Sequence, residues 1–133
     1  MLALLLMLRG EADRRYVLIG VGITIINALT YTLLKLYFKR QRPVPFPATL
    51  RSRVLERYAF PSGHSSISFG VAFLVAHFYP FLWAQALVYA LAGFISLSRI
   101  YVQEHYPSDV LAGALWGTGL TAALLPLFEK LML

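Results

Sequence analysis

Three short stretches of this chain carry the side chains of anion chemistry at suggestive spacings. The first is Lys35-Leu-Tyr-Phe-Lys-Arg-Gln-Arg42-Pro43. Seven residues at about 100° each return Lys35 and Arg42 to within roughly 20° of one another if a helix continues that far. Pro43 would then stop it. Two fixed cations on one side of a helix end suit an anionic group, although such residues also serve as snorkelling interfacial anchors. The second is Pro61-Ser62-Gly63-His64, directly before an apolar run. Ser62 suits an N-cap, Gly63 allows close backbone approach to a ligand, and the free N–H groups of a helix start attract anions. His64 would stand beside any anion held there; a capped helix with an incidental histidine is the plainer reading. Ser62 makes a poor nucleophile candidate, because the strand–turn–helix setting of a nucleophile elbow is missing.

The third stretch is Ser98-Arg99-Ile-Tyr-Val-Gln-Glu104-His105-Tyr-Pro107-Ser-Asp109. His105 and Asp109 are four apart, so the carboxylate can hold one ring nitrogen and leave the other free as a nucleophile. Arg99 adds a planar fork able to grip two phosphate oxygens. A polar loop with a local cap at His105–Asp109 is the alternative. Lys39, Arg40, Glu56 and Glu104 read as solvated residues, and His77 as a structural residue at the opposite end of its helix.

Membrane helices must position these groups. The chain has 133 residues, enough for one domain, with 59% hydrophobic and only 14% charged residues. A soluble domain carries roughly 25% charged residues. The expected fold is therefore all-α, a polytopic transmembrane helical bundle, since the bilayer core leaves backbone groups few other partners. Spans are expected at 16–38, 64–78, 81–98 and 109–128. Residues 1–8 suit a partial helix, being too short to cross a bilayer. Residues 41–60 read as an extramembrane loop. Within it Leu50, Val54, Leu55 and Tyr58 could form one side of a short interfacial helix, with Arg51, Arg53 and Arg57 largely elsewhere. Threading the spans gathers all three stretches at one membrane face. The net charge of +6 then points to anionic lipid or a phosphorylated substrate rather than nucleic acid. Gly113 and Gly117 give the last helix a small-residue face suited first to packing within the chain and, as the alternative, to a dimer contact.

Taken in order, the three stretches resemble the type 2 phosphatidic acid phosphatase superfamily. Its pattern is Lys, six residues and Arg-Pro, then Pro-Ser-Gly-His, then Ser-Arg, five residues, His, three residues and Asp. Every part is matched between Lys35 and Asp109. The resemblance implies that His105 attacks phosphorus, His64 protonates the departing oxygen and Asp109 supports His105. It further implies that Lys35, Arg42, Ser62, Gly63 and Arg99 hold the phosphate, with no metal and no cofactor. The expected activity is hydrolysis of a phosphate monoester or diphosphate on a membrane lipid through a phosphohistidine. Phosphatidic acid, phosphatidylglycerol phosphate, a polyprenyl diphosphate and a lipid A phosphate all qualify. The expected setting is a prokaryotic cell membrane with the site on its extracytoplasmic face. Members commonly have six membrane helices, whereas this sequence offers four and a stub. Competing readings are a metal-dependent hydrolase using His64, His105 and Asp109, a vanadate-binding haloperoxidase-like protein, and a non-catalytic lipid-binding protein. The oligomeric state is left open.

Overall fold

A computed structural model of the chain describes residues 10–44 and 57–132, with the backbone alone for residues 11–13. The stub at 1–8 and most of the suggested interfacial helix, including Arg51 and Arg53, lie outside the described residues. Among the described residues four helices follow in order: α1 (Glu11–Phe38), α2 (Gly63–Phe78), α3 (Leu82–Tyr101) and α4 (Pro107–Met132). Three of them, over Arg14–Phe38, Leu82–Tyr101 and Pro107–Met132, are long and apolar enough to cross a membrane. The protein is an all-α, integral membrane helical bundle.

α2 is the central element. It packs against α1, α3 and α4, while among the described residues α1 and α3 do not meet. That arrangement leaves a cleft between α1 and α3, floored by α2 and backed by α4. The outward faces of α1 and α3 present Leu18, Leu29, Leu87 and Phe94. In water such a surface would be prohibitive; against acyl chains it is the expected solution.

Two kinds of contact hold the bundle together. At the end away from the three motifs, Ile19, Ile23, Leu74 and Leu125 form an apolar core ringed by Phe73, Phe78, Leu124 and Phe128. Tyr16 stacks on Phe78 there at 4.2 Å, and His77 pairs with Glu129 at 3.0 Å, as suits a structural histidine. Nearer the motifs the interior is polar. The Asn27 amide donates to the Ser66 carbonyl at 3.1 Å, and the Ser66 hydroxyl donates to Asn27 Oδ1 at 2.6 Å. Such side-chain bonds replace the hydrophobic drive that apolar solvent cannot supply.

The small-residue face of α4 lies against α2, as its spacing suggests. A Cβ on Gly117 would fall well inside contact with the Ser66 carbonyl, and one on Gly113 would do the same to the Ser62 carbonyl. Both obstacles are backbone, so neither can swing aside. Gly117→Ala is expected to lower stability by about 3 kcal/mol, the upper end for overpacking. Gly119, with nothing within 4 Å, is the control on the same helix, and alanine there should be neutral or slightly stabilising. Thermal unfolding in detergent distinguishes them; equal midpoints for the two variants would contradict this packing.

Candidate active site

α1 ends earlier than the spacing argument supposes. Its last residue is Phe38, and Lys39 adopts a left-handed conformation (φ 48°) whose N–H donates to the Lys35 carbonyl. Lys35 and Arg42 therefore do not share a helical face. Arg42 is carried instead on an extended segment, tied back by the Gln41–Tyr58 bridge and by the Ala59 N–H donating to the Arg40 carbonyl at 2.8 Å. The two cations still converge, but tertiary pairing brings them together. Lys35 is only 5% exposed, and its ammonium donates to the Tyr58 carbonyl at 3.0 Å.

The start of α2 behaves as expected of Ser62. Its hydroxyl accepts from the Ser65 N–H at 3.4 Å and from the Ser65 hydroxyl at 3.1 Å. Its own N–H donates to the Asp109 carbonyl at 2.9 Å, which staples α2 to α4. Ser62 is fully buried in this cap. Gly63, next in line, leaves room for the Tyr31 ring, since a Cβ would sit 2.8 Å from it.

The third motif straddles a turn. Arg99 belongs to the last turn of α3, which runs past the expected boundary to Tyr101. Gln103 then takes a left-handed conformation (φ 58°), and Pro107 opens α4. Asp109 sits at the third position of that helix and reaches back, its Oδ2 accepting from the Tyr106 N–H at 2.8 Å. This is a capping box with aspartate in the acidic position. The other oxygen, Oδ1, accepts from Arg40 at 2.7 Å; Arg40 also donates to the Ser108 hydroxyl at 2.8 Å and lies 4.3 Å over the Tyr106 ring.

The His105–Asp109 relation is consequently looser than the four-residue spacing suggests. Nδ1 stands 3.9 Å from Asp109 Oδ2, within ion-pair range but beyond a hydrogen bond, and among the described residues it has no hydrogen-bond partner. Asp109 is fully buried, and its oxygens are occupied by Tyr106 and Arg40. It bears on His105 through the turn that carries both residues rather than through a direct bond.

His105, His64, Lys35, Arg42, Gly63 and Tyr31 line one cavity of about 600 Å³. Ser62, Arg99 and Asp109 do not line it; they stand behind it in the cap, the α3 terminus and the turn. Beyond the polar end the cavity runs along Ile67, Val71, Val88, Leu91 and Ile95, the floor and flanks of the α1–α3 cleft. Val71 also borders a second apolar groove of about 420 Å³ between α1 and α2.

Burial first, then the Lys35 and Arg42 charges, hold the His105 ring down to about 3 from its ordinary 6.5, offset in part by the Ala59 carbonyl. The ring is thus neutral at pH 7, with a free lone pair. A histidine kept neutral by the fold stabilises it fully above pH 6.5, where the unfolded chain is neutral too. That contribution is lost as pH falls from 6.5 toward 3. Unfolding midpoints measured across that range should fall less steeply for His105→Ala than for the parent; parallel slopes would contradict it.

Sequence reasoning missed three residues. Tyr31, one turn before Lys35, was legible from helical spacing. Arg40 and Glu104 are not solvated bystanders: Arg40 grips Asp109, and Glu104 Oε2 lies 3.4 Å from Arg99 and 3.7 Å from Arg42. Among the described residues, the cations Lys35, Arg40, Arg42 and Arg99 and the carboxylates Glu104 and Asp109 gather at this end of the bundle. Among the described residues, no three His, Asp or Glu side chains are grouped to hold a metal ion.

Fold and site together define a membrane helical bundle with a cationic, two-histidine cavity at one end. The chain belongs to the PAP2 superfamily, whose sequence model matches residues 15–133. It is 34% identical to YbjG of Escherichia coli over 124 residues, covering 88% of this chain and 60% of that protein. It is 31% identical to an undecaprenyl-diphosphatase of Sulfolobus acidocaldarius over 106 residues, covering 74% and 50%. The crystal structure of LpxE from Aquifex aeolicus superposes with a TM-score of 0.71 at 23% identity, covering 94% of this chain and 74% of that one, a likeness of fold. The chain spans 50–60% of the length of these two curated relatives.

Proposed function

We propose that this protein hydrolyses a phosphate ester or diphosphate on a membrane lipid through a phosphohistidine on His105. One observation carries the reading. The cavity that joins both histidines to Lys35 and Arg42 continues into an apolar cleft open to the bilayer, so a phosphorylated headgroup and its hydrocarbon tail each find a matching surface. The relatives' membership of one family supports the same chemistry.

The steps follow from the geometry. Lys35, Arg42 and the α2 start at Gly63 hold the phosphoryl oxygens, with Arg99 behind them, and these cations stabilise the charge spread over those oxygens in flight. Neutral His105 attacks phosphorus with Nε2, the ring nitrogen turned away from Asp109. The phosphorus–oxygen bond to the lipid breaks as protonated His64 gives its proton to the leaving oxygen. The positive charge that develops on His105 is met by Asp109. A water molecule, losing its proton to His64, then attacks the phosphohistidine, releasing inorganic phosphate and restoring both rings. The grouping of cations around the histidines disfavours a bound dication, and chelator treatment that leaves turnover intact supports this metal-free route. Turnover lost in chelator and restored by zinc would transfer the reaction to the metal-dependent alternative.

The substrate class rests on the cleft and on the Sulfolobus acidocaldarius relative, an undecaprenyl-diphosphatase, which favours a polyprenyl diphosphate among the candidates. Phosphate release from purified protein, measured on polyprenyl diphosphate, phosphatidic acid, phosphatidylglycerol phosphate and lipid A phosphate, tests both reaction and preference. Release from none would sink the proposal. The active end is assigned to the extracytoplasmic face. The chain contains no cysteine, so Lys39→Cys at the active end and Lys130→Cys at the other give clean single labels. A membrane-impermeant thiol reagent on intact cells should label the first only; the reverse pattern inverts the topology.

A further inference from the structure

Between Arg42 and Arg99 the chain already carries an anion of its own. Glu104 Oε2 is 3.4 Å from Arg99 Nη1 and 3.7 Å from Arg42 Nη1. Arg42 Nη1 also donates to the Glu104 backbone carbonyl at 3.5 Å. The two guanidinium groups come from different elements, the segment after α1 and the last turn of α3, and this carboxylate spans them. Carboxylate and phosphate oxygens seek the same forked donors, so a phosphoryl group that takes these two Nη1 groups displaces the carboxylate from them.

The bridge is loose. One oxygen is shared between two cations, and both separations exceed the roughly 2.7–2.9 Å of a good charge-assisted bond. The Glu104 side chain is 27% exposed, which gives it water to move into. It stands on the short turn between α3 and α4, beside the left-handed Gln103, rather than inside a helix.

We infer that Glu104 is a resident competitor for the phosphate site. Its carboxylate bridges Arg42 and Arg99 while the site is empty, moves aside as a phosphoryl group docks, and returns to expel inorganic phosphate after hydrolysis. This rests on the reading that these arginines hold the phosphoryl group. It reverses the expectation for a structural brace, whose loss would loosen the arginines and weaken anion binding.

Calorimetric titration of the full chain in detergent with inorganic phosphate, and separately with vanadate, tests the idea. Glu104→Gln keeps the shape and removes the charge, and it should bind both anions about tenfold more tightly. In steady state its KM for lipid should fall in parallel and its inhibition by phosphate strengthen, with no rise in kcat. Glu104→Asp, too short to reach both arginines, should shift affinity part of the way in the same direction; it decides the matter if the Gln variant does not fold. Unchanged or weaker anion binding in the variants overturns the inference. Because binding needs no turnover, the two readings separate. Tighter anion binding in a protein that releases phosphate from no lipid supports the competitor role while sinking the enzymatic one. Lipid turnover with unchanged anion affinity does the opposite, and no anion binding by either protein overturns both.

Discussion

His105→Ala is expected to abolish phosphate release from every substrate, and His64→Ala to do so selectively. A missing nucleophile leaves only binding and charge stabilisation, so the loss in kcat should be about a thousandfold or more whatever the leaving group. A general acid matters in proportion to the basicity of the oxygen it protonates. A lipid alkoxide needs the proton, and removing His64 should slow its release by about 10²–10⁴-fold. An aryl phosphate expels a stabilised phenolate, and its hydrolysis should fall by less than about tenfold. The ratio of the two rates is the diagnostic quantity, since misfolding lowers both together. Equal losses on both substrates in His64→Ala would falsify the division of labour. Both rings lining one cavity is the geometric condition for the prediction, and it is met.

Arg40→Ala should damage both stability and turnover although Arg40 lies outside the cavity itself. Asp109 is fully buried and charged, and Arg40 donates to it at 2.7 Å. Removing one partner of a buried pair costs about 3–5 kcal/mol because the other is left uncompensated. The Arg40 side chain is 40% exposed, so water can replace part of it, and a loss of about 2 kcal/mol is expected. Asp109 also fixes the turn that carries His105, so the kcat should fall by about ten- to a hundredfold with little change in KM. Arg40→Lys keeps the charge without the planar fork and should recover part of each. A wild-type melting temperature together with wild-type kcat in Arg40→Ala would show that Asp109 needs no such partner.

The convergence of the three motifs was legible because span length fixes which helix ends share a membrane face. Ser62 as cap and the small face of α4 were legible for the same reason: each is a local rule satisfied locally. The end of α1 at Phe38 matches the expected span, but the conditional pairing of Lys35 with Arg42 on one helical side does not hold. Lys39 takes the left-handed conformation that glycine usually supplies, and nothing in its residue type announces that turn. Arg40 and Glu104 were missed for a different reason. Arg40 finds Asp109 across 69 positions of sequence, and Glu104 finds Arg42 across 62. Their partners are set by how α1, α3 and α4 come together, which spacing along one chain does not encode. The same holds for His105 and Asp109, where a real spacing signal led to a helix cap rather than to the hydrogen bond it suggested.

The shortness of α2 has a bearing on kinetics. Its 16 residues rise about 24 Å, several ångströms less than the roughly 30 Å hydrocarbon thickness it must share with longer neighbours. The helix start that carries His64 therefore need not reach the headgroup plane. On the proposed reaction, catalysis is two-dimensional: velocity should track the mole fraction of substrate in a mixed micelle at constant total detergent-to-protein ratio, and not the number of moles per litre. The dephosphorylated product of that reaction would be left embedded in the leaflet where it forms.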